Sequence, residues 1–180
     1  MQESIISIID TLNFYEVDYC LIGGLAVAIH GIPRFTDDID FLVHNNIVNV
    51  FSEMKGTIKS KGGTANYIKA DLNDPLGDVI QLNLLDNQID LISAKTSLDF
   101  SALTRATKEK FQDITIRVVS VEDLILLKLN AGGPQDLYDV AGIINVSSEK
   151  IDLNYLTMNI NNEYIKNKWS LAKSIADKNT

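Results

Sequence analysis

Cysteine is almost missing from this chain. Cys20 stands alone, so no intramolecular disulfide can staple the fold, and a reducing compartment is the expected setting. Positive charge is short as well. Sixteen Lys and Arg face 24 Asp and Glu in 180 residues, a formal net charge of −8. That deficit argues against generic, sequence-blind binding to nucleic acid, which needs a basic surface, though it leaves room for a local basic cleft. No apolar run reaches the length that crosses a bilayer, so no membrane contact is expected. Residues 1–9 carry Glu3 and no basic residue, which does not read as a secretory leader; a cytoplasmic protein is the expectation. The two histidines, His30 and His44, have no second histidine or cysteine at ligand spacing, so a zinc site is not expected. Internal repeats and clean linkers are missing too. What remains is ordinary globular material: 46% apolar and 22% charged residues, enough chain to bury one core.

Hydrophobic periodicity divides the chain into strands and helices. Ile5, Ile8, Ile9 and Leu12 recur at helical spacing. Residues 17–22 form an apolar run that breaks at Gly23-Gly24 and reads as a buried strand; 25–29 suit a short buried helix. Residues 39–43 read as a second strand, and Ile47, Val50, Phe51 and Met54 as a second amphipathic helix. The stretch 55–63, with lysines and glycines, predicts a helix end and a loop. Asn73-Asp74-Pro75-Leu76-Gly77-Asp78 is a dense turn signal. Residues 79–85 and 89–92 predict a hairpin turning through Asp86-Asn87-Gln88, and 114–119 a last strand. Residues 122–131 predict a helix stopped by Gly132-Gly133-Pro134, followed by one carrying Leu137, Val140, Ala141 and Ile144. Ile165, Trp169, Ala172 and Ala176 mark a final helix, with Trp169 as its core anchor. The order predicts an α+β protein: a core over residues 1–120 and a helical cap over 121–180.

The chemistry sits in one constellation. Asp38 and Asp40 lie on the same face of the strand they begin, with Ile39 and Phe41 on the other. Two carboxylates roughly 7 Å apart in an apolar strand repel each other unless a cation lies between them. Magnesium suits that place, because it takes oxygen ligands from one or two carboxylates and substrate phosphates. The strand ending in Gly23-Gly24 exposes backbone N–H groups where a helix begins, and glycine lets a phosphate come close. Together these features describe a nucleoside triphosphate held for attack at phosphorus. Asp90, the one acid in the apolar run Gln88-Ile89-Asp90-Leu91-Ile92, completes a three-acid cluster if its strand neighbours residues 39–43. Arg34, in the loop before the acids, can reach a phosphate or lie on the surface. Lys128, among Leu124, Ile125, Leu126, Leu127 and Leu129, either snorkels to solvent or pairs with an anion. Asp136, after Pro134, either caps a helix or supports catalysis. Cys20 reads as a small core residue.

The pattern Gly-Gly, thirteen residues, Asp-Ile-Asp and a later strand Asp resembles the DNA polymerase β-like nucleotidyltransferase superfamily. Within it, Gly31-Ile32-Pro33-Arg34-Phe35-Thr36-Asp37-Asp38-Ile39-Asp40 is similar to the loop of AbiEii-type nucleotidyltransferases, which include toxins of toxin–antitoxin systems. So is Val121-Glu122-Asp123-Leu124-Ile125-Leu126-Leu127-Lys128-Leu129, followed by Asp136-Leu137-Tyr138-Asp139-Val140. The resemblance implies a nucleotidyltransferase fold, a small mixed sheet flanked by helices with a C-terminal helical segment. It implies Asp38, Asp40 and Asp90 as catalytic, magnesium-binding acids, and Gly23, Gly24, Arg34, Thr36 and Lys128 around the phosphates, with Asp136 in support. The substrates it implies are a nucleoside triphosphate and an acceptor such as a tRNA or other RNA end, with an antitoxin or other partner protein. The alternatives are a catalytically weak nucleotide-binding or regulatory module, and a transferase acting on a small molecule such as an antibiotic. Relatives often carry serine at position 24 and basic residues at 130, 133 and 135; this chain has Gly24, Asn130, Gly133 and Gln135.

Overall fold

A computed structural model describes residues 1–71, 77–149 and 151–178. Most of the predicted turn at 73–78 therefore lies outside the described residues. The chain begins with α1 (Gln2–Phe14), whose Ile5, Ile8 and Leu12 are fully buried at the predicted spacing. Then come β1 (Tyr19–Leu21), α2 (Gly23–Ile29), β2 (Ile39–Val43) and α3 (Ile47–Ser60). Helix α3 continues through most of the stretch expected to be a helix end and loop. Next are β3 (Thr64–Ile68), β4 (Val79–Leu84), β5 (Asn87–Ser93), α4 (Ser97–Arg105), β6 (Thr107–Phe111) and β7 (Ile114–Val118). Four helices close the chain: α5 (Val121–Ala131), α6 (Pro134–Ser147), α7 (Leu153–Asn159) and α8 (Glu163–Lys178).

The fold is α+β. Its strands make one mixed sheet in the order β3-β4-β5-β2-β1-β7-β6. Pairs β2/β5 and β1/β7 are parallel and the rest antiparallel. The five predicted strands are its middle; β3 and β6, which periodicity did not indicate, are its two edges. Their composition explains the miss. Edge strands meet solvent, and Thr107-Lys108-Glu109-Lys110-Phe111 is mostly charged, whereas β2 is almost wholly buried. The hairpin between β4 and β5 is present, but its turn is Leu85-Asp86, one step earlier than expected. Both residues have positive φ, +51° and +59°, the twist that a two-residue hairpin turn requires.

Helices α5 to α8 share the core of the sheet. Leu124, Ile125 and Leu129 of α5, Leu137, Val140 and Ile143 of α6, Leu156 of α7, and Ile165 and Ala172 of α8 belong to the same buried cluster as Ile39, Phe41 and Leu91. Trp169 is only partly buried against it. Arg105, at the end of α4, joins the layers: it bonds Asp123 and Glu122 at the start of α5 and lies over the Tyr155 ring of α7. No helix among the described residues is long and apolar enough to cross a membrane.

Candidate active site

Topology brings the predicted residues to one end of the sheet. Strand β1 runs antiparallel to β2, with Leu21 opposite Phe41, so the start of α2 faces the start of β2. Strand β5 runs parallel to β2 and places Asp90 directly beside Asp40. Neighbouring strands lie about 4.8 Å apart and paired residues point to the same face, so the two carboxylates share that face. Asp38, expected to begin the strand with Asp40, is exposed two residues earlier, just outside β2.

Gly23 opens α2 at φ +68°, and a Cβ there would stand 1.9 Å from Oδ2 of Asp40. Only glycine accepts both the backbone angle and a carboxylate at that distance. Above Gly24 the space is taken: a Cβ would lie 2.9 Å from Nη1 of Arg34 and 3.0 Å from Cβ of Thr36. A serine at 24 would make the Arg34 guanidinium and the Thr36 side chain shift by a few tenths of an ångström. The Thr36 hydroxyl donates to the Asp38 carbonyl at 3.3 Å and steadies the loop that delivers the acids.

Electrostatic strain is concentrated on two of the acids. Burial, followed by the charges of Asp90 and Asp38, pushes the Asp40 carboxyl up to about 6, while Lys128 and Arg34 hold it back. Asp90 is raised as well, by burial first and by Asp38 second. Its Oδ1 is buried with no hydrogen-bond partner. A buried, unpaired carboxylate oxygen is costly and calls for a proton or a cation. The donor set fits magnesium, being all hard oxygen beside a place for phosphate. Among the described residues, however, no three acids, histidines or cysteines are gathered closely enough to enclose a metal by themselves.

A model of the family described as "Nucleotidyl transferase of unknown function (DUF2204)" matches residues 1–172. The chain belongs to that nucleotidyltransferase family. Solved structures agree on the fold. A Thermotoga maritima protein assigned to the nucleotidyltransferases superposes with a TM-score of 0.56 at 14% identity, over 73% of this chain and 84% of that one. The lincosamide antibiotic adenylyltransferase LnuA, solved with lincomycin bound, gives 0.53 at 16% identity, over 82% and 98%. An antigenic nucleotidyltransferase-like protein from Paracoccidioides brasiliensis gives 0.53 at 15% identity, over 94% and 89%. No curated protein matches the sequence.

In this nucleotidyltransferase Lys128 neither snorkels nor faces open solvent. It is 9% exposed and paired with Asp136 at 2.9 Å and Asp139 at 2.7 Å. Asp136 sits one turn inside α6, where its Oδ2 accepts the Gly133 N–H at 3.1 Å. It thus closes the helix start from the third helical position rather than acting as N-cap. Arg34 reaches the same group, with Nη1 2.8 Å from Oδ2 of Asp139. Asp139 is the residue that sequence reasoning passed over as a site residue. Its signal was there, a second acid three residues after Asp136 and therefore on the same helix face. The lysines that could have formed a basic track are partly committed. Lys61 bonds Ser7 and Thr11 of α1, Lys168 bonds the Gly132 carbonyl, and Lys166 pairs with Glu163. A cavity of about 750 Å³ lies between α4, α5 and the α7–α8 connection, lined by Leu126, Asn130 and Asn162 among others and by none of the three acids.

Proposed function

We propose that this nucleotidyltransferase moves a nucleoside monophosphate from a nucleoside triphosphate to an acceptor hydroxyl and releases pyrophosphate. The observation that carries the reading is Asp40 in register with Asp90 and pressed against Gly23 where α2 opens. Asp38, Asp40 and Asp90 would hold magnesium, which when bound supplies charge neutralisation at the phosphates. The chain's own residues do the rest. The backbone at Gly23 and Gly24 and the Arg34 guanidinium bind and orient the phosphate tail, and Thr36 fixes the loop beneath it. Asp90, whose Oδ1 is left without a hydrogen-bond partner by the fold, takes the proton of the acceptor hydroxyl as that oxygen bonds the α-phosphorus. The bond between the α-phosphorus and the bridging oxygen breaks, and pyrophosphate leaves. In this reading 1–120 is the catalytic core and 121–180 a cap that presents Lys128 and Asp136 to it.

The proposed acceptor is an RNA end, such as a tRNA, in a toxin-type enzyme held in check by an antitoxin protein in the cytoplasm. The loop 31–40 and the runs 121–129 and 136–140, which resemble AbiEii-type nucleotidyltransferases, a group that includes toxins, support this. The net charge of −8 and the committed lysines favour a second reading, in which the acceptor is a small hydroxyl compound, as the antibiotic is for LnuA. The test incubates the protein with magnesium, each labelled nucleoside triphosphate in turn, total RNA and cell extract. Label in RNA supports the toxin-type reading, label in a small molecule the second, and no transfer or triphosphate binding overturns both in favour of a regulatory module.

A further inference from the structure

Asp139 offers a single oxygen to two cations. Its side chain is 3% exposed, and Oδ2 accepts from Nη1 of Arg34 at 2.8 Å and from Nζ of Lys128 at 2.7 Å. Its other oxygen accepts from Nε2 of Gln135 at 3.1 Å, so the carboxylate is held on both sides. The two cations are not equivalent. Lys128 is buried to 9% and spends two of its three N–H donors on Asp136 and Asp139. Arg34 is 24% exposed and, of its five donors, Nη1 bonds Asp139; its guanidinium stands over Gly24 at the opening of α2. A planar fork of that kind can keep Asp139 on one edge and take phosphate oxygens on the other, which an ammonium cannot.

We propose that Asp139 is a positioning residue of the triphosphate site: it anchors Arg34 from behind, with Lys128 as the buried counter-ion that offsets the cost of the anchor, so that Arg34 rather than Lys128 presents side-chain donors to the phosphates. This rests on the reading of the site as a triphosphate site. It reassigns Lys128 from direct phosphate contact to support of the anchor. It is consistent with glycine at 24, beside which the guanidinium packs closely.

The sign of one substitution decides the matter. Asp139→Asn removes a negative charge beside an anion site, and charge alone would tighten anion binding. Loss of an anchor does the reverse. The experiment measures binding of inorganic tripolyphosphate with magnesium by calorimetry, to wild type, Asp139→Asn, Arg34→Ala and the double variant, below the melting transition of each. Expected are losses of about tenfold in both single variants, the scale of one charge-assisted hydrogen bond, and no further loss in the double variant, because both act through one guanidinium. Unchanged or tighter binding by Asp139→Asn, or additive losses, overturns the proposal. If Asp139→Asn does not fold, Arg34→Ala still decides, because its loop is at the surface; wild-type affinity in that variant overturns the proposal. Failure of wild type to bind tripolyphosphate overturns the proposal together with the triphosphate reading, whereas wild-type binding with an untouched Asp139→Asn leaves that reading standing.

Discussion

Asp40 illustrates what one half-buried acid costs the fold. Its ordinary value of 3.8 rises to about 6 in the folded protein. Between those values the folded state binds more protons than the unfolded one. The contribution of Asp40 to stability is therefore greatest below about pH 4, declines as pH rises through about 6, and then stays level at the lower value. Asp40→Asn removes the repulsion, so it is expected to raise the melting temperature of the metal-free protein at about pH 8, to change it little at about pH 4, and to abolish transfer. Melting curves at the two pH values check the first part. Loss of the folded state in this variant would make the carboxylate structural. In wild type, magnesium is expected to raise the melting temperature at about pH 8, and in Asp40→Asn to do so much less.

Individual elements show where local rules hold and where tertiary packing overrides them. The β4–β5 turn puts Leu85, half exposed, into the left-handed region, where a branched side chain is strained and asparagine is not. Leu85→Asn is expected to stabilise the protein by about 0.5–1 kcal/mol, read from the denaturation midpoint. At the C-terminus, α8 buries Ile165, Ala172 and Ala176, and Asn145 of α6 bonds the Ala176 carbonyl. An isolated helix of this length is marginal in water, so its order comes from that packing. Deleting the residues after Glu163 is expected to lower the melting temperature by more than about 5 °C, because it uncovers apolar side chains of α6. Helix α4, which periodicity did not indicate, carries a different signal. Thr96 accepts the Asp99 N–H while Asp99 accepts that of Thr96, a capping box visible as Thr-x-x-Asp.

At the scale of the whole molecule the charge balance limits what it can hold. The net charge is −8, and Lys61, Lys166 and Lys168 are tied into contacts within the chain. Mixed-sequence duplex DNA is expected to show no complex in a gel-shift at physiological salt, since non-specific affinity comes from phosphate contacts to lysine and arginine. A complex in that assay would mean that the exposed lysines form a continuous track. An RNA acceptor, if used, must then be recognised by its end rather than along its backbone.

The sequence by itself determined the central strands, the glycine break and the acids after it, because these features depend on neighbours a few residues apart. Ile39 and Phe41 must be buried, so Asp38 and Asp40 must face the other way, whatever the remainder of the chain does. Only the tertiary structure decided that Asp90 pairs with Asp40, because residues 39–43 and 87–93 are joined through a crossover whose end point local pattern does not specify. It also decided the edge strands, whose charged faces carry no burial signal. The partner of Lys128 was undecided in the sequence for the same reason. A lysine in an apolar helix either snorkels to solvent or finds an anion, phosphate and carboxylate satisfy it equally, and only the packing of α6 on α5 set Asp136 and Asp139 within reach.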